Sequence, residues 1–258
     1  MKKRVKRASS GKKFAPGEHI RVVPLHQPAV PVAPAVAKFT YRGGPLIPNV
    51  EVFTIFWGNL WQSSSANVIS KLNTFFGDIV VSPLIDQLAE YNVPGQAIGH
   101  GSFIGTKVIT LNAPVGSVTD SQLRTQLKKW ISSKAVAKNS TNRLYFIFLD
   151  PGIVSILGGS RSCQSYCGYH NNVNVGKVYY AVMPYPSCSG CLGGLQSFDA
   201  LTATSSHELC EAITDPIPGT GWYDDTNGEI GDICAWSFKQ IGGYTVQLEW
   251  SNQQQKCA

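Results

Sequence analysis

Runs of consecutive apolar residues alternate with amphipathic segments between residues 39 and 149. Residues 50–57 and 143–149 are rich in β-branched and aromatic side chains, as expected of buried strands. Residues 100–111 predict a further strand or a hairpin. Apolar side chains recur at helical spacing in three segments: 63–76, 83–91 and 119–131. Strands alternating with helices predict an α/β fold in which a sheet packs against helices.

Another helical pattern includes residues 206–215. His207 and Glu211 lie one turn apart on it, and Asp215 follows one turn later. The apolar side chains fall on the opposite side: Leu201, Leu209, Ala212 and Ile213. One face of this helix is therefore predicted to join the core, and the other face to line a cleft.

Carboxylates are concentrated around that helix. Residues 199–232 contain eight of the 16 Asp and Glu residues of the chain, and no Lys or Arg occurs from residue 178 to residue 238. Carboxylates brought together without basic partners repel one another, and a divalent cation relieves this repulsion while the groups stay ionised. A metal site is the favoured interpretation, and a solvated acidic surface is the alternative.

The pattern His207-Glu208-x-x-Glu211 resembles the metal-binding helix of zincin metallopeptidases. It predicts a zincin-like mixed sheet, with His207 and Glu211 as zinc ligands and Glu208 as the general base. Because Glu211 stands where zincins have a second histidine, Mn²⁺ or Ca²⁺ is also compatible. The third ligand is expected downstream, with Asp232 the first candidate and Glu229 the second.

Three further side chains are candidates for smaller roles. Tyr223 is placed to donate a hydrogen bond to a developing oxyanion, or to act as an aromatic lid. His170 contacts a substrate or metal, or makes a hydrogen bond within a loop. Cys210 lies about 100° away from the ligand face of the helix and is predicted to be a small buried residue.

The net charge of +6 comes from the N-terminal segment, because residues 1–40 contain nine Lys and Arg and only one Glu. Residues 1–38 are predicted to be a basic, Pro-rich disordered leader or pro-segment, and residues 39–258 a single metallohydrolase-like domain. The leader lacks the apolar run of a standard secretory signal. No aromatic residues alternate with its basic residues, so nucleic acid is not an expected partner. No stretch is long enough to span a membrane.

Six cysteines are grouped in a way that indicates cross-linking. Cys163, Cys167, Cys188 and Cys191 are spaced for either a structural zinc or two disulfides around a Gly-, Ser- and Tyr-rich excursion. Cys234 and Cys257 are predicted to form a cross-link near the C-terminus. Disulfides are favoured because the surroundings are rich in turns, and they predict an oxidising, extracellular location.

Three blocks of sequence resemble the EXORDIUM / phosphate-induced protein family of plants and its microbial relatives. The blocks are Tyr41-Arg42-Gly43-Gly44-Pro45 with the strand ending at Gly58, the cysteine cluster with Gly168 and His170, and the C-terminal group of Thr214-Asp215-Pro216, Gly221-Trp222-Tyr223, Cys234, Gly242-Gly243-Tyr244 and Cys257. The resemblance implies a secreted, disulfide-bonded protein linked to the cell wall and to growth responses.

Two functions from different classes are consistent with these patterns. The first is a secreted metal-dependent hydrolase, a peptidase acting on peptides or proteins, in which Glu208 moves the proton. The second is a non-catalytic extracellular protein that binds a cell-wall polymer or a protein partner and holds a structural ion.

Overall fold

The computed structural model describes residues 22–26, 37–173 and 176–258. The strands in these ranges are β1 Val22–Pro24, β2 Thr40–Tyr41, β3 Glu51–Trp57, β4 Ser102–Ile109, β5 Ser117–Thr119, β6 Arg143–Leu149, β7 Val154–Leu157, β8 Ser160–Arg161, β9 Tyr166–Val173, β10 Val178–Met183, β11 Trp222–Tyr223, β12 Phe238–Ile241, β13 Tyr244–Gln247, β14 Trp250–Ser251 and β15 Lys256–Cys257. The α-helices are α1 Ala66–Ile79, α2 Pro83–Gln87, α3 Asp120–Ser132, α4 Ser189–Leu192 and α5 Ser197–Thr214. Short 3₁₀ turns cover Leu60–Gln62, Leu88–Tyr91 and Asp232–Cys234.

A six-stranded mixed sheet in the order β1-β9-β10-β6-β3-β4 forms the centre of the fold. Strands β10, β6, β3 and β4 run parallel, whereas β9 is antiparallel to both of its neighbours. Strands β3 and β6 are apolar almost throughout because helices cover both faces of the sheet. The prediction of a mixed α/β sheet packed against helices is confirmed, and its zincin-like character stays a prediction.

Helices on opposite faces of the sheet close two hydrophobic cores. The first core joins α1, α2 and α5 to the side chains of Phe56, Phe146 and Phe148. The second core joins α3 to the other faces of β3 and β6, including Tyr145 and Ile147. The strand alternation thus sends successive side chains into different cores. Helix α3 begins with a capping box between Thr119 and Gln122, as its sequence indicates.

The other predicted elements of residues 39–149 are found with small differences. The segment 63–76 is α1, and the segment 83–91 divides into α2 and the following 3₁₀ turn. Within residues 100–111, Ser102–Ile109 form the single strand β4, which pairs parallel to β3 at the sheet edge. No single helix among the described residues is long and apolar enough to cross a membrane, although α1 together with Pro83–Tyr91 meets the length and composition test as a bent pair.

The predicted excursion around the cysteines is wrong in one respect, because much of it belongs to the central sheet. Strand β9 is largely buried and its polar side chains find partners there, so its sequence lacks the apolar signature of a core strand. The cysteines themselves are paired as disulfides, as favoured above: Cys163–Cys188, Cys167–Cys191 and Cys234–Cys257.

Part of the predicted leader is also ordered. Val22–Pro24 forms the edge strand β1 beside β9, and the exposures of Val22 and Val23 are only 7% and 2%. The prediction of disorder is therefore wrong for residues 22–26, because two apolar side chains and a free sheet edge compensate the cost of ordering. The rest of residues 1–36 lies outside the described residues.

We expect Phe76→Ala to lower the free energy of unfolding by about 3–5 kcal/mol, because the ring is fully buried and its loss leaves a cavity. The centroid of Phe76 lies 4.5 Å from that of Phe146 and 6.3 Å from that of Phe148. Urea unfolding followed by fluorescence measures the change. As a control, Leu111 is 75% exposed, and Leu111→Ala should stay within about 0.5 kcal/mol of the parent protein. Equal losses in both variants would contradict the assignment of this core.

Candidate metal centre

Helix α5 carries the candidate site through the interior of the protein. It packs against β9 and β10 on one side and against β13 on the other. His207, Glu208 and Glu211 are all 0% exposed. The prediction that their face lines an open cleft is therefore wrong, because the β12–β13 hairpin and the 228–234 segment cover it.

One group of potential ligands surrounds Nε2 of His207. This nitrogen lies 3.0 Å from Oε1 of Glu211 and 4.0 Å from Oδ1 of Asp232. The three ligand atoms lie within 4.8 Å of one another, and the Asp232 side chain is only 6% exposed. The geometry thus places the first candidate for the third ligand, Asp232, beside the predicted pair.

A second group surrounds the imidazole of His170, which β9 presents to α5. Its Nδ1 lies 3.1 Å from Oε2 of Glu208 and 3.7 Å from Oε2 of Glu211. Its Nε2 lies 3.2 Å from Oε1 of Glu229 and 3.2 Å from the carbonyl oxygen of Asp215. Glu229 therefore lies against His170, whereas Asp232 lies with His207.

Two glycines allow the backbone to approach the carboxylates closely. A Cβ atom on Gly168 of β9 would lie 2.7 Å from a methyl of Thr204 and 3.2 Å from Oε1 of Glu208. A Cβ on Gly231 would lie 2.8 Å from Nδ1 of His207 and 2.9 Å from Oε1 of Glu211. Both contacts are tighter than real side chains make, so glycine is required to bring β9 and the 228–234 segment onto α5.

Within the part of the chain that the structure describes, most of the buried carboxylate oxygens in this region have no hydrogen-bond partner. The unpartnered atoms are Oε1 of Glu208, both oxygens of Glu211, Glu229 and Glu249, and Oδ1 of Asp232. Among the described residues, no Lys or Arg forms an ion pair with any of these groups. Because a buried polar atom without a partner costs free energy, so many in one place require a ligand or bound protons.

The electrostatics of the cluster favour bound positive charge. Burial, together with the charge of Glu208, raises the pKa of Glu211 well above its usual value. Burial and the charge of Glu211 likewise raise the pKa values of Glu229 and Asp232. Burial lowers the pKa of His170, but its hydrogen bond to Glu208 and the surrounding negative charge outweigh this and raise it.

The donor set fits a divalent cation. One imidazole nitrogen and two carboxylates from His207, Glu211 and Asp232 match the nitrogen and oxygen ligands of zinc sites. Ionised carboxylates around such a cation would need no basic partner, which would account for the orphaned oxygens of Glu211 and Asp232.

Asp215, unlike the carboxylates beside the two histidines, has a structural role. Its carboxylate accepts hydrogen bonds from the backbone amides of Gly219, Thr220 and Gly221. These bonds hold the turn that follows α5, so the carboxylate is already satisfied.

Sequence reasoning missed two residues of the centre, Gln247 and Glu249. The amide nitrogen of Gln247 lies 2.7 Å from Nδ1 of His207, and Glu249 is 0% exposed with Oε2 beside Gly231. Burial raises the pKa of Glu249 well above its usual value. Both residues alternate with apolar neighbours, so the sequence alone predicts that they face solvent. Only the packing of their strand against α5 indicates that they are buried.

The remaining candidates have definite positions. Tyr223 is buried on β11, and the guanidinium of Arg42 lies 4.6 Å above its ring. Its role as a hydrogen-bond donor in catalysis stays a prediction. Cys210 is a buried free cysteine, as predicted.

No protein-family model matches the chain, and a search of curated proteins gives no match. The resemblance to the EXORDIUM / phosphate-induced protein family therefore stays a prediction.

We expect the metal-free protein to become less stable as the pH rises above about 4.5. A carboxyl whose pKa is raised on folding holds its proton more tightly in the native state, so stability falls above the unfolded values of 4.5 for Glu and 3.8 for Asp. The raised pKa of His170 acts in the same direction above 6.5.

Urea unfolding in a chelator between pH 4.5 and pH 8 measures this trend, and added Zn²⁺ or Mn²⁺ should reverse it. Glu211→Gln should weaken the trend, because the variant lacks one of the buried titrating groups. A chelated parent protein whose stability is constant or rises over this range would contradict the assigned electrostatics.

Proposed function

We propose that this protein is a secreted, zinc-dependent hydrolase with a zincin-like site, and that it acts as a peptidase. The observation that carries the proposal is the buried set of His207, Glu211 and Asp232, whose ligand atoms converge with no Lys or Arg paired to them in the described ranges. These three side chains would hold the ion.

Zinc suits this site best because one of the three donors is an imidazole nitrogen. The two carboxylates make Mn²⁺ the next choice, whereas Ca²⁺ prefers a larger set made of oxygen alone. Binding through Nε2 of His207 requires the proton on Nδ1. The amide nitrogen of Gln247 lies 2.7 Å from Nδ1 and also donates to the carbonyl oxygen of Gly231, so metal binding through Nε2 requires this amide to rearrange.

When bound, a zinc ion supplies Lewis-acid polarisation of a substrate carbonyl and makes water more acidic. The chain itself supplies the proton acceptor. Oε2 of Glu208 is held 3.1 Å from Nδ1 of His170, which fixes the carboxylate, while Oε1 of Glu208 has no partner. Glu208 is therefore oriented beside the ligand set with one oxygen free to accept a proton.

The extracellular location is supported by the three disulfides, which form and persist in oxidising compartments. The family resemblance gives the same location and adds the cell wall as a setting. Peptides and proteins are the proposed substrates, because carbonyl polarisation beside a carboxylate base is the chemistry of zincin peptidases.

A second function is favoured by the burial of the site. His207, Glu208 and Glu211 are 0% exposed, so a substrate reaches them only if the covering segments move. A non-catalytic extracellular protein with a structural ion, binding a wall polymer or a protein partner, needs no such movement.

Glu208→Gln separates the two functions. We expect this variant to keep the ion held by His207, Glu211 and Asp232 and to lose roughly 10²–10⁴-fold in kcat on a cleaved peptide library, because it lacks the proton acceptor. His207→Ala should lose both metal and activity. Cleavage is followed by mass spectrometry, and metal content by elemental analysis.

Asp86→Asn is the matched control, because Asp86 is an exposed carboxylate that pairs with His100 outside the cluster. It should keep both metal and activity. A metal-loaded parent protein with no turnover that depends on Glu208 would refute the hydrolase and favour the structural ion.

A further inference from the structure

We infer that the centre holds two divalent cations bridged by Glu211, with the second cation bound by His170 and Glu208. The inference rests on the proposed function only in that Glu211 also belongs to the first site. The second site is a distinct set of side chains, and its ligand atoms also lie within 4.8 Å of one another.

The two oxygens of Glu211 face different imidazoles. Oε1 lies 3.0 Å from Nε2 of His207, and Oε2 lies 3.7 Å from Nδ1 of His170. Neither oxygen has a well-aligned hydrogen bond from the described residues, although the side chain is 0% exposed. A carboxylate with one oxygen directed to each of two imidazole groups has the arrangement of a bridging ligand, as in sites whose ions are about 3.5–4 Å apart.

The hydrogen bonding of His170 favours metal binding through Nδ1. Its Nε2 lies at hydrogen-bonding distance, 3.2 Å, from the carbonyl oxygen of Asp215, and it also lies 3.2 Å from Oε1 of Glu229. Metal-binding histidines characteristically donate their second ring N–H to a carbonyl or carboxylate in this way. In that tautomer the lone pair of Nδ1 faces the oxygens of Glu208 and Glu211, and a cation between them would remove the repulsion.

The charge of the whole cluster is larger than one ion can compensate. Six buried carboxylates surround the two histidines: Glu208, Glu211, Asp215, Glu229, Asp232 and Glu249. One divalent ion compensates two negative charges, and Asp215 is stabilised by three backbone amides. A second divalent ion compensates two more negative charges, so little uncompensated negative charge is left in the cluster.

The second ion is compatible with the proposed role of Glu208 as base. Oε2 of Glu208 faces His170, whereas Oε1 has no partner. One oxygen can thus bind the ion while the other accepts a proton. The competing explanation is a protonated His170 that serves as the counter-charge itself, and the two explanations differ in the number of ions bound.

The test counts the ions and measures their separation. The full chain is stripped with a chelator, reconstituted with Mn²⁺ and examined by elemental analysis and electron paramagnetic resonance. We expect two ions per chain in the parent protein, with the spectrum of an exchange-coupled pair. His170→Gln should bind one ion and give the spectrum of isolated Mn²⁺, and Asp86→Asn should bind two.

The outcomes distinguish the two proposals. One isolated ion per chain in the parent protein overturns the second site and leaves the proposed function intact. No bound ion after reconstitution with Mn²⁺ or with Zn²⁺ overturns both. If His170→Gln does not fold by circular dichroism, the parent spectrum still decides, because only a bridged pair gives exchange coupling.

Discussion

The repulsion between carboxylates buried around His207 and His170 is the constraint on which this structure depends. Glu211 and Glu229 are 0% exposed, and no Lys or Arg of the described residues pairs with either. Burying an ionised carboxylate without a partner costs several kcal/mol, which is a large part of the stability of a typical domain. Folding therefore requires either proton uptake or bound cations, and the donor types present select cations with affinity for both nitrogen and oxygen.

The rest of the fold holds these groups together against that repulsion. Helix α5 rests on the sheet through the apolar core it shares with α1 and α2, and β9 brings His170 onto its polar side. The disulfide Cys167–Cys191 joins the start of β9 to the segment before α5, and Cys234–Cys257 ties the 3₁₀ turn after Asp232 to the C-terminal strand. Both disulfides thus fasten segments that supply the centre, and the chain entropy they remove from the unfolded state opposes the electrostatic cost.

The sequence predicts the elements better than it predicts the centre. Strands β3 and β6 are continuous apolar runs and α3 has a capping box, so local patterns identify them. The i, i+4 spacing of His207 and Glu211 likewise indicates a shared ligand face. Strand β9 resembles a loop in sequence because it carries polar side chains, among them His170, whose partners lie far along the chain. His170 and Glu249 came close to α5 through tertiary packing, which leaves no periodic trace in the chain, and the same packing turned an expected cleft into a buried cluster.

Anomalous diffraction at the zinc edge from crystals grown with Zn²⁺ tests the central claim most directly. The account predicts an anomalous peak inside the cluster, with bonds of about 2.0–2.2 Å to the imidazole of His207 and to the carboxylates of Glu211 and Asp232. An ordered structure with these side chains in the positions described and no anomalous peak among them would contradict it. In that case, protons alone would hold the carboxylates together.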